Sequence, residues 1–524
     1  MREIKQPDAP KKPLLDRIIE TVSPERGMRR MRARTVLALA GQWNGARKDR
    51  RGTKNWSTLT GSADADMLFD LPALRERSRD LCRNNPLALG AVNTVTTSAV
   101  GTGLSLNCQP ELSILGWSED QAAVWAQHVE SEFRAWAGNP RACDASKTQD
   151  FYGLQALAFR SAMESGDIFA LLPMVSEKTS VYGTRVHLIE ADRVENSKNL
   201  KDTDTLAGGV EMDRYGAPLA YHIMRTHPGG LSGKAKEWDV IPAFGSKSGR
   251  RNVVHLFDRR RPGQSRGFPY LAPVIEHLKQ LSQYTEAEIA AAVVAGMFTV
   301  FVKTEGGQGL DIGADNLAAP GSDIKMGNGA IVDLAGGEDI STANPGRPNT
   351  AFDPFIQAIL RQVGVALEIP FELLIKHFTA SYSAARAALL EAWRFFKIKR
   401  AWLAGQFCQP IYEAWFEEAV ALGRIDAPGF FDDPYLRAAY LGTEWIGDAP
   451  GQIDPLKEIN AAKARIDADL SNHSIETMAL HGLSWDQTHR GLAKERQIQI
   501  ADGTLKPVEP VNDAIAAGDE SENE

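Results

Sequence analysis

Between residues 353 and 407 one amphipathic helical pattern runs into a proline, a short polar loop follows, and a longer helical pattern rich in aromatic residues takes over. Few folds accommodate such a segment except by presenting the loop between two helices. Asp353 is suited to an N-cap and Pro354 to the first helical position, where its missing N–H would have no partner anyway. Phe355, Ile356, Ile359, Leu360, Val363 and Leu367 then share one face until Ile369-Pro370 forces the chain out of helix. The loop itself is Lys376, His377, Phe378, Thr379, Ala380, Ser381 and Tyr382. From Ser383 the run AARAALLEAWRFFKIKRAWLAGQF has no proline and no glycine before Gly405, so it reads as one long helix.

At 524 residues the chain exceeds what a single hydrophobic core usually supports, and several domains or an elongated multi-part subunit are expected. A net charge of −8 argues against a general gripper of nucleic acid, but the charge is unevenly spread. Arg26, Arg29, Arg30, Arg32, Arg34, Arg47, Lys48, Arg50, Arg51 and Lys54 make the amino end basic. The carboxyl end is acidic, with no Lys or Arg after Lys506. These read as a solvated arm and a disordered tail. Cys82, Cys108, Cys143 and Cys408 lack zinc-site spacing and read as reduced, buried thiols of a cytoplasmic protein. The amino end has no signal-peptide core, and the longest apolar run, residues 289–302, is too short to span a bilayer.

Helices are expected from Leu71-Pro72, from Asn85-Pro86 through Ala99, over residues 122–136 and over 151–165. After Gly166 the period changes to two. Short strands at 168–172, 186–189, 210–212, 220–223 and 253–257, separated by turn residues, fit an antiparallel meander. Residues 270–295 return to helix as a long exposed rod, and a glycine-rich segment with strand-like pieces at 298–303 and 330–334 separates it from the helix at 353. Asp454-Pro455 caps a further helix through Leu470, and Ser484-Trp485-Asp486-Gln487 has the form of a capping box.

Catalytic patterns fail on context. Gly263-Gln264-Ser265-Arg266-Gly267 matches GxSxG, but an elbow needs a strand directly before the serine and a helix directly after, whereas Arg259-Arg260-Arg261-Pro262 and Pro269 flank it. Residues 229–235 resemble a phosphate loop without the hydroxyl residue after lysine that would hold magnesium. That removes the basis for an ATP-driven motor. His473, His481 and His489 recur every eight residues, yet Gly482 interrupts the helix and no carboxylate partner accompanies them. Asp64 and Asp66 read as solvated carboxylates. No enzyme, metal or cofactor is expected. Arg394, Lys397, Lys399 and Arg400 lie among Trp393, Phe395, Phe396 and Trp402, a mixture that serves either as core or as contacts to a nucleic-acid backbone.

Four ordered stretches together resemble the lambda-type portal proteins of tailed bacteriophages: residues 74–86 with Val100-Gly101-Thr102-Gly103, residues 261–269, residues 382–391, and Trp445-Ile446-Gly447 through 454–458. The resemblance implies an α+β, elongated portal subunit with long stem helices, an antiparallel β wing, a small β-containing clip and a helical crown. It divides the chain into a basic arm (1–73), wing (74–269), stem helix (270–296), clip (297–352), returning stem helix (353–368), tunnel loop (369–382), long inner-wing helix (383–423), crown (424–503) and acidic tail (504–524). It further implies a homo-oligomeric ring, a dodecamer, at one capsid vertex of the virion, assembled in the host cytoplasm. Double-stranded DNA would be packaged and ejected through it, and the large terminase, the major capsid and scaffold proteins and a head–tail adaptor would dock on it.

On that reading Lys376, His377, Phe378, Thr379, Ser381 and Tyr382 face the DNA, with Lys376 and His377 on its backbone and Tyr382 holding the loop against the next helix. Few loop cations suit a conduit, because each neutralised phosphate is a contact to be broken at every step. The rival classes are a peripheral DNA-binding adaptor that uses the basic arm, expected as a salt-sensitive monomer or dimer, and a nucleic-acid-processing enzyme.

Overall fold

The computed structural model describes, apart from isolated positions, residues 51–231, 236–296, 300–304, 338–342, 351–378 and 381–504, with short pieces nearer the amino end. Residues 1–62 and 63–524 form two units. In the first, Arg26, Arg29 and Arg30 lie on short helical pieces and are exposed.

The second unit begins its helical body with α1 (Leu71–Asn84) and α2 (Pro86–Ala99). One residue separates them and does several jobs. Asn85 Oδ1 accepts from the N–H groups of Leu87 and Ala88 at 3.0 and 2.9 Å, which caps α2. Its amide donates to Ser282 Oγ at 2.9 Å. Ala88, Ala91, Val92, Val95 and Ala99 recur at helical spacing, and all five are buried. After β1 (Ser105–Cys108), a capping box at Ser118 and Gln121 starts α3 (Glu119–Ala137). Asp150 caps α4 (Phe151–Ser165). Its buried Gln155 accepts from Leu104 N–H at 2.6 Å and donates to Leu104 C=O at 3.1 Å, satisfying backbone that the sheet does not reach.

The strand region is not one meander. β2 (Asp167–Leu171) lies between β3 (His187–Glu190) and β8 (Val253–Phe257), antiparallel to both. Between β3 and β8 the chain makes a separate four-stranded meander of β4 (Leu206–Ala207), β5 (Val210–Met212), β6 (Pro218–Met224) and β7 (Trp238–Pro242). Sequence periodicity misses β4 and β7. β7 has only intermediate or exposed residues, so it lacks the alternation that would mark it. Phe169, Ile189, Val194, Val210, Tyr221, Ile223, Ala243 and Val253 form a second core under this region.

After a short 3₁₀ turn, α5 (Ile275–Gly296) runs out of the body. A hairpin of β9 (Val300–Thr304) and β10 (Glu338–Thr342) follows it, and the expected strand at 330–334 lies outside the described residues. The chain returns through α6 (Phe352–Ala366). Asp353 does not cap it. The helix starts one residue earlier, and Asp353 Oδ2 accepts from the Gln357 side chain at 2.7 Å. Tyr284 of α5 stacks on Phe352 and meets Phe355 edge-on, with centroids 5.6 and 5.1 Å apart. Tyr270 O–H donates to the C=O of Leu367.

A helix at Phe371–Ile375 and the loop lead into α7 (Tyr382–Leu403). This helix does not stop at Gly405. One π-helical turn, Ala404–Cys408, connects it to α8 (Gln409–Ala421). The π turn delivers Phe407 into a buried aromatic cluster with Phe133, Trp136, Phe151, Tyr412 and Trp415, where Phe407 stacks on Phe151 at 6.2 Å. Beyond α9 (Pro434–Tyr440), β11 (Thr443–Ile446) pairs antiparallel with β1. Asp454 caps α10 (Pro455–Asp467) as expected. α11 (His473–His481) and α12 (Trp485–Ala501) complete the described chain. Ser484, the expected cap of α12, lies outside it. Among the described residues no helix is long and apolar enough to cross a membrane.

Candidate functional site

The two arginine-bearing motifs of the sequence, around Arg75 and Arg266, meet at Asp167, the first residue of β2. Arg75 Nη2 lies 2.8 Å from Asp167 Oδ1, and its Nε donates to Ser165 C=O at 2.9 Å. Arg266 Nε lies 2.5 Å from Asp167 Oδ2 and its Nη2 3.2 Å from Oδ1. The remaining Arg266 donors go to the carbonyls of Val194, Gly208 and Ala191 at 2.6, 2.5 and 2.8 Å. All five N–H groups of this buried guanidinium are therefore used. Gly267 N–H and His255 Nε2 reach the same carboxylate at 3.2 and 3.3 Å.

Burial alone would raise the Asp167 carboxyl, but Arg266 and Arg75 hold it far below the usual range. Burial also lowers Arg75 to about 10 and His255 to about 4, despite the nearby carboxylate. Arg75 stays charged at neutral pH and the imidazole stays neutral. Asp192, ion-paired to Arg79, supplies a second negative charge beside Arg75. The turn at 263–267 needs its last glycine. A Cβ on Gly267 would stand 2.0 Å from Gly166 C=O. This cluster ties α1, β2, the 191–194 segment, the 208 turn and the 263–267 turn into one piece. Sequence reasoning marked both arginines as parts of motifs but not their shared partner. The available signal was a lone aspartate opening the otherwise apolar run DIFALL just after a glycine.

A serine, a histidine and an aspartate occur together here without forming a triad. Ser265 Oγ makes no hydrogen bond, and His255 points Nε2 at Asp167. Ser265 N–H donates to Asp64 Oδ1 at 2.8 Å, and Arg261 pairs with Asp66 at 2.7 Å. Asp64 and Asp66 are thus not merely solvated carboxylates but anchors of this turn. His473 and His489 both stack on Trp485, at 6.4 and 4.6 Å. Among the described residues no group of side chains is placed to hold a metal. The four cysteines are free and buried, with burial raising every thiol, those of Cys82 and Cys143 to about 12. Residues 232–235 of the phosphate-loop-like run lie outside the described residues.

The loop before α7 is presented to solvent. Leu374 anchors the preceding short helix in the core, and Lys376 closes that helix in the left-handed conformation (φ 54°), with its N–H and that of His377 on Glu372 C=O. Lys376, His377, Phe378 and Ser381 are exposed. Thr379, Ala380 and the side chain of Tyr382 lie outside the described residues. The four cations at 394–400 of α7 divide into two pairs. Arg394 and Lys397 are exposed, Arg394 pairing with Glu391 at 2.9 Å. Lys399 reaches Asp258 at 2.9 Å, while Arg400 donates to the carbonyls of Ala99, Ser98 and Asp448 and covers Trp393. Lys399 and Arg400 both make contacts within the chain.

The described residues thus place long paired helices beside a sheet clamped at one buried carboxylate. Residues 49–400 match the family described as phage portal protein, lambda family, and the chain belongs to that family. Over 498 residues it is 26% identical to the portal protein of Escherichia phage N15, covering 90% of this chain and 92% of that protein. It is 24% identical over 481 residues to portal protein B of Escherichia phage lambda, covering 87% and 89%. Solved structures with some likeness are the neck of a native gene transfer agent particle (13% identity, TM-score 0.41, 78% of this chain and 92% of that one) and an HK97-family phage portal protein from Corynebacterium diphtheriae (10% identity, TM-score 0.30, 64% and 91%). The protein is therefore a non-enzymatic, structural component of a phage-type virion, acting at its portal.

Proposed function

We infer that copies of this chain assemble into a closed ring at one capsid vertex, the conduit through which double-stranded DNA is packaged and later ejected. The observation that carries this reading is the family match across residues 49–400, which spans the three- and four-stranded sheets, both long paired helices, the loop and most of α7. The surface supports assembly. Ile289 and Val293 on α5 are 59% and 54% exposed, and Leu390 and Ile398 on α7 are also exposed. Such apolar positions on projecting helices suit burial against a neighbouring copy.

In this proposal the sheet region through 269 is the wing, α5 and α6 are the stem, and the insert between them is the clip, which meets the large terminase and then a head–tail adaptor. Residues 369–382 form the tunnel loop, α7 and α8 the inner wing, and residues 424–503 the crown. Twelve copies would close the ring. Lys376 and His377, exposed on a loop with few other cations, touch the DNA backbone, and Arg394 and Lys397 are further candidate contacts. The capsid and scaffold proteins would surround the wing.

Negative-stain electron microscopy of the purified protein tests this directly. Rings with a central channel wide enough for duplex DNA are expected, and rotational class averages give the copy number. Compact monomers or dimers under all assembly conditions, with salt-sensitive DNA binding, would instead establish a peripheral adaptor.

A further inference from the structure

A cavity of about 290 Å³ beside Arg79 and Glu164, an exposed apolar cleft at Trp117 and Trp125, and a cavity of about 390 Å³ under the π turn stand out from the rest of the surface. In the first, two of the three arginines are already answered, Arg79 by Asp192 and Arg160 by Glu164. The second is closed by internal bonds from Trp125 and His128 to the 424–426 backbone. The third is different.

Its walls are β5, β6 and β8 on one side and Gly405 and Gln406 of the π turn with Pro410 of α8 on the other. Donor groups on its lining residues include the guanidinium groups of Arg251 and Arg259, the phenol of Tyr221, the amide of Gln406 and the buried hydroxyl of Ser265. No Asp or Glu is among the described residues that line it. Arg251 lies over the Phe244 ring at 4.7 Å and Arg259 over Phe257 at 5.4 Å. A guanidinium stacked on an aromatic face keeps its N–H edge available to a planar or tetrahedral oxyanion. Ser265 is only 3% exposed, and its Oγ has no hydrogen-bond partner within the protein. An orphaned buried hydroxyl beside two unopposed cations is unfavourable unless something accepts from it.

We propose that this cavity is a phosphate-binding site, in which an oxyanion accepts hydrogen bonds from Arg251, Arg259 and Ser265. Burial pushes the Tyr221 phenol up to about 12, and the charged groups that act on it are Arg251, Arg259 and Arg266, with no acid among them. The phenol therefore keeps its O–H at neutral pH and is a further donor. The phosphate could be free inorganic phosphate or a phosphodiester of DNA, and the same side chains would hold either. The π turn, whose extra residue widens the helix at Gly405 and Gln406, forms the lip of the site. The inference does not depend on ring assembly, because every lining residue belongs to one chain.

The test uses the full chain. Inorganic phosphate is titrated calorimetrically at constant ionic strength, with chloride as the balancing anion, and thermal unfolding is followed alongside. Saturable binding with a rise in Tm is expected. R251Q combined with R259Q should weaken it by about a hundredfold, roughly tenfold for each charge-assisted contact. Ser265→Ala, which keeps both cations and most of the packing, should weaken it several-fold with unchanged far-ultraviolet circular dichroism. A short DNA duplex that displaces phosphate, and loses affinity in the same variants, identifies a backbone phosphodiester. Phosphate binding that duplex leaves undisturbed identifies a free oxyanion. The proposal is overturned if phosphate stabilises the protein no more than chloride does, or if the Ser265→Ala and double-arginine variants bind as the parent does.

Discussion

At Asp167 two arginines, an imidazole and a backbone N–H share one fully buried carboxylate, so removing it would strand two cations in the interior. Asp167→Asn should therefore destabilise the protein by about 3–5 kcal/mol, read from urea midpoints, because breaking a buried pair costs more than forming it gains. His255 gives a pH signature at the same place. Its folded value of about 4 lies below the ordinary 6.5, so between those values the unfolded chain binds a proton that the folded chain excludes. Stability should fall as pH drops from about 6.5 to about 4, and this contribution should level off below. In His255→Gln that segment of the pH–stability curve should be shallower than in the parent. The residues of this clamp were only half legible. Arg75 and Arg266 stand in sequence patterns that draw attention, whereas Asp167 gains its meaning from partners 92 and 99 residues away.

Helix α7, the π turn and α8 behave as one element, with a single irregularity that aims Phe407 at Phe151. Phe407→Ala should cost about 3–5 kcal/mol, measured by chemical denaturation, since the side chain is fully buried and the aromatic cage around it cannot collapse. The element boundaries that the sequence discloses are those with local causes. Asn85 and Asp454 carry their own capping side chains, and α2 and α4 begin where their apolar period does. What it hides is set from afar. Asp353 has the chemistry of a cap, yet packing against Tyr284 recruits Phe352 into α6 and moves the start past it. β4 and β7 of the four-stranded meander are likewise concealed, because β4 is only two residues long and β7 packs little beyond Ile241 on the second core and carries no alternating pattern. The loop at 376–382 was legible as a loop because helix-breaking and helix-forming residues flank it. Which of its side chains would meet DNA in the proposed ring depends on neighbouring copies and is written in no single chain.

For the whole molecule, assembly and fold should separate cleanly. Ile289→Glu alters an exposed position, so the stability of the subunit should change by no more than about 0.5 kcal/mol, whereas rings should disappear from electron micrographs. Lys376→Ala should leave rings intact and reduce the DNA packaged per particle, and normal packaging would show that lysine to be dispensable. The pairing of β1 with β11 bears on how the subunit is made. Asn107 and Glu444 face each other across that pair although they stand 337 positions apart in the chain. At ordinary rates of synthesis, β1 leaves the ribosome roughly 20–70 s before its partner exists. During that interval its edge is open to other nascent chains. A subunit truncated before residue 443 never closes it, and its β1 keeps an unpaired edge.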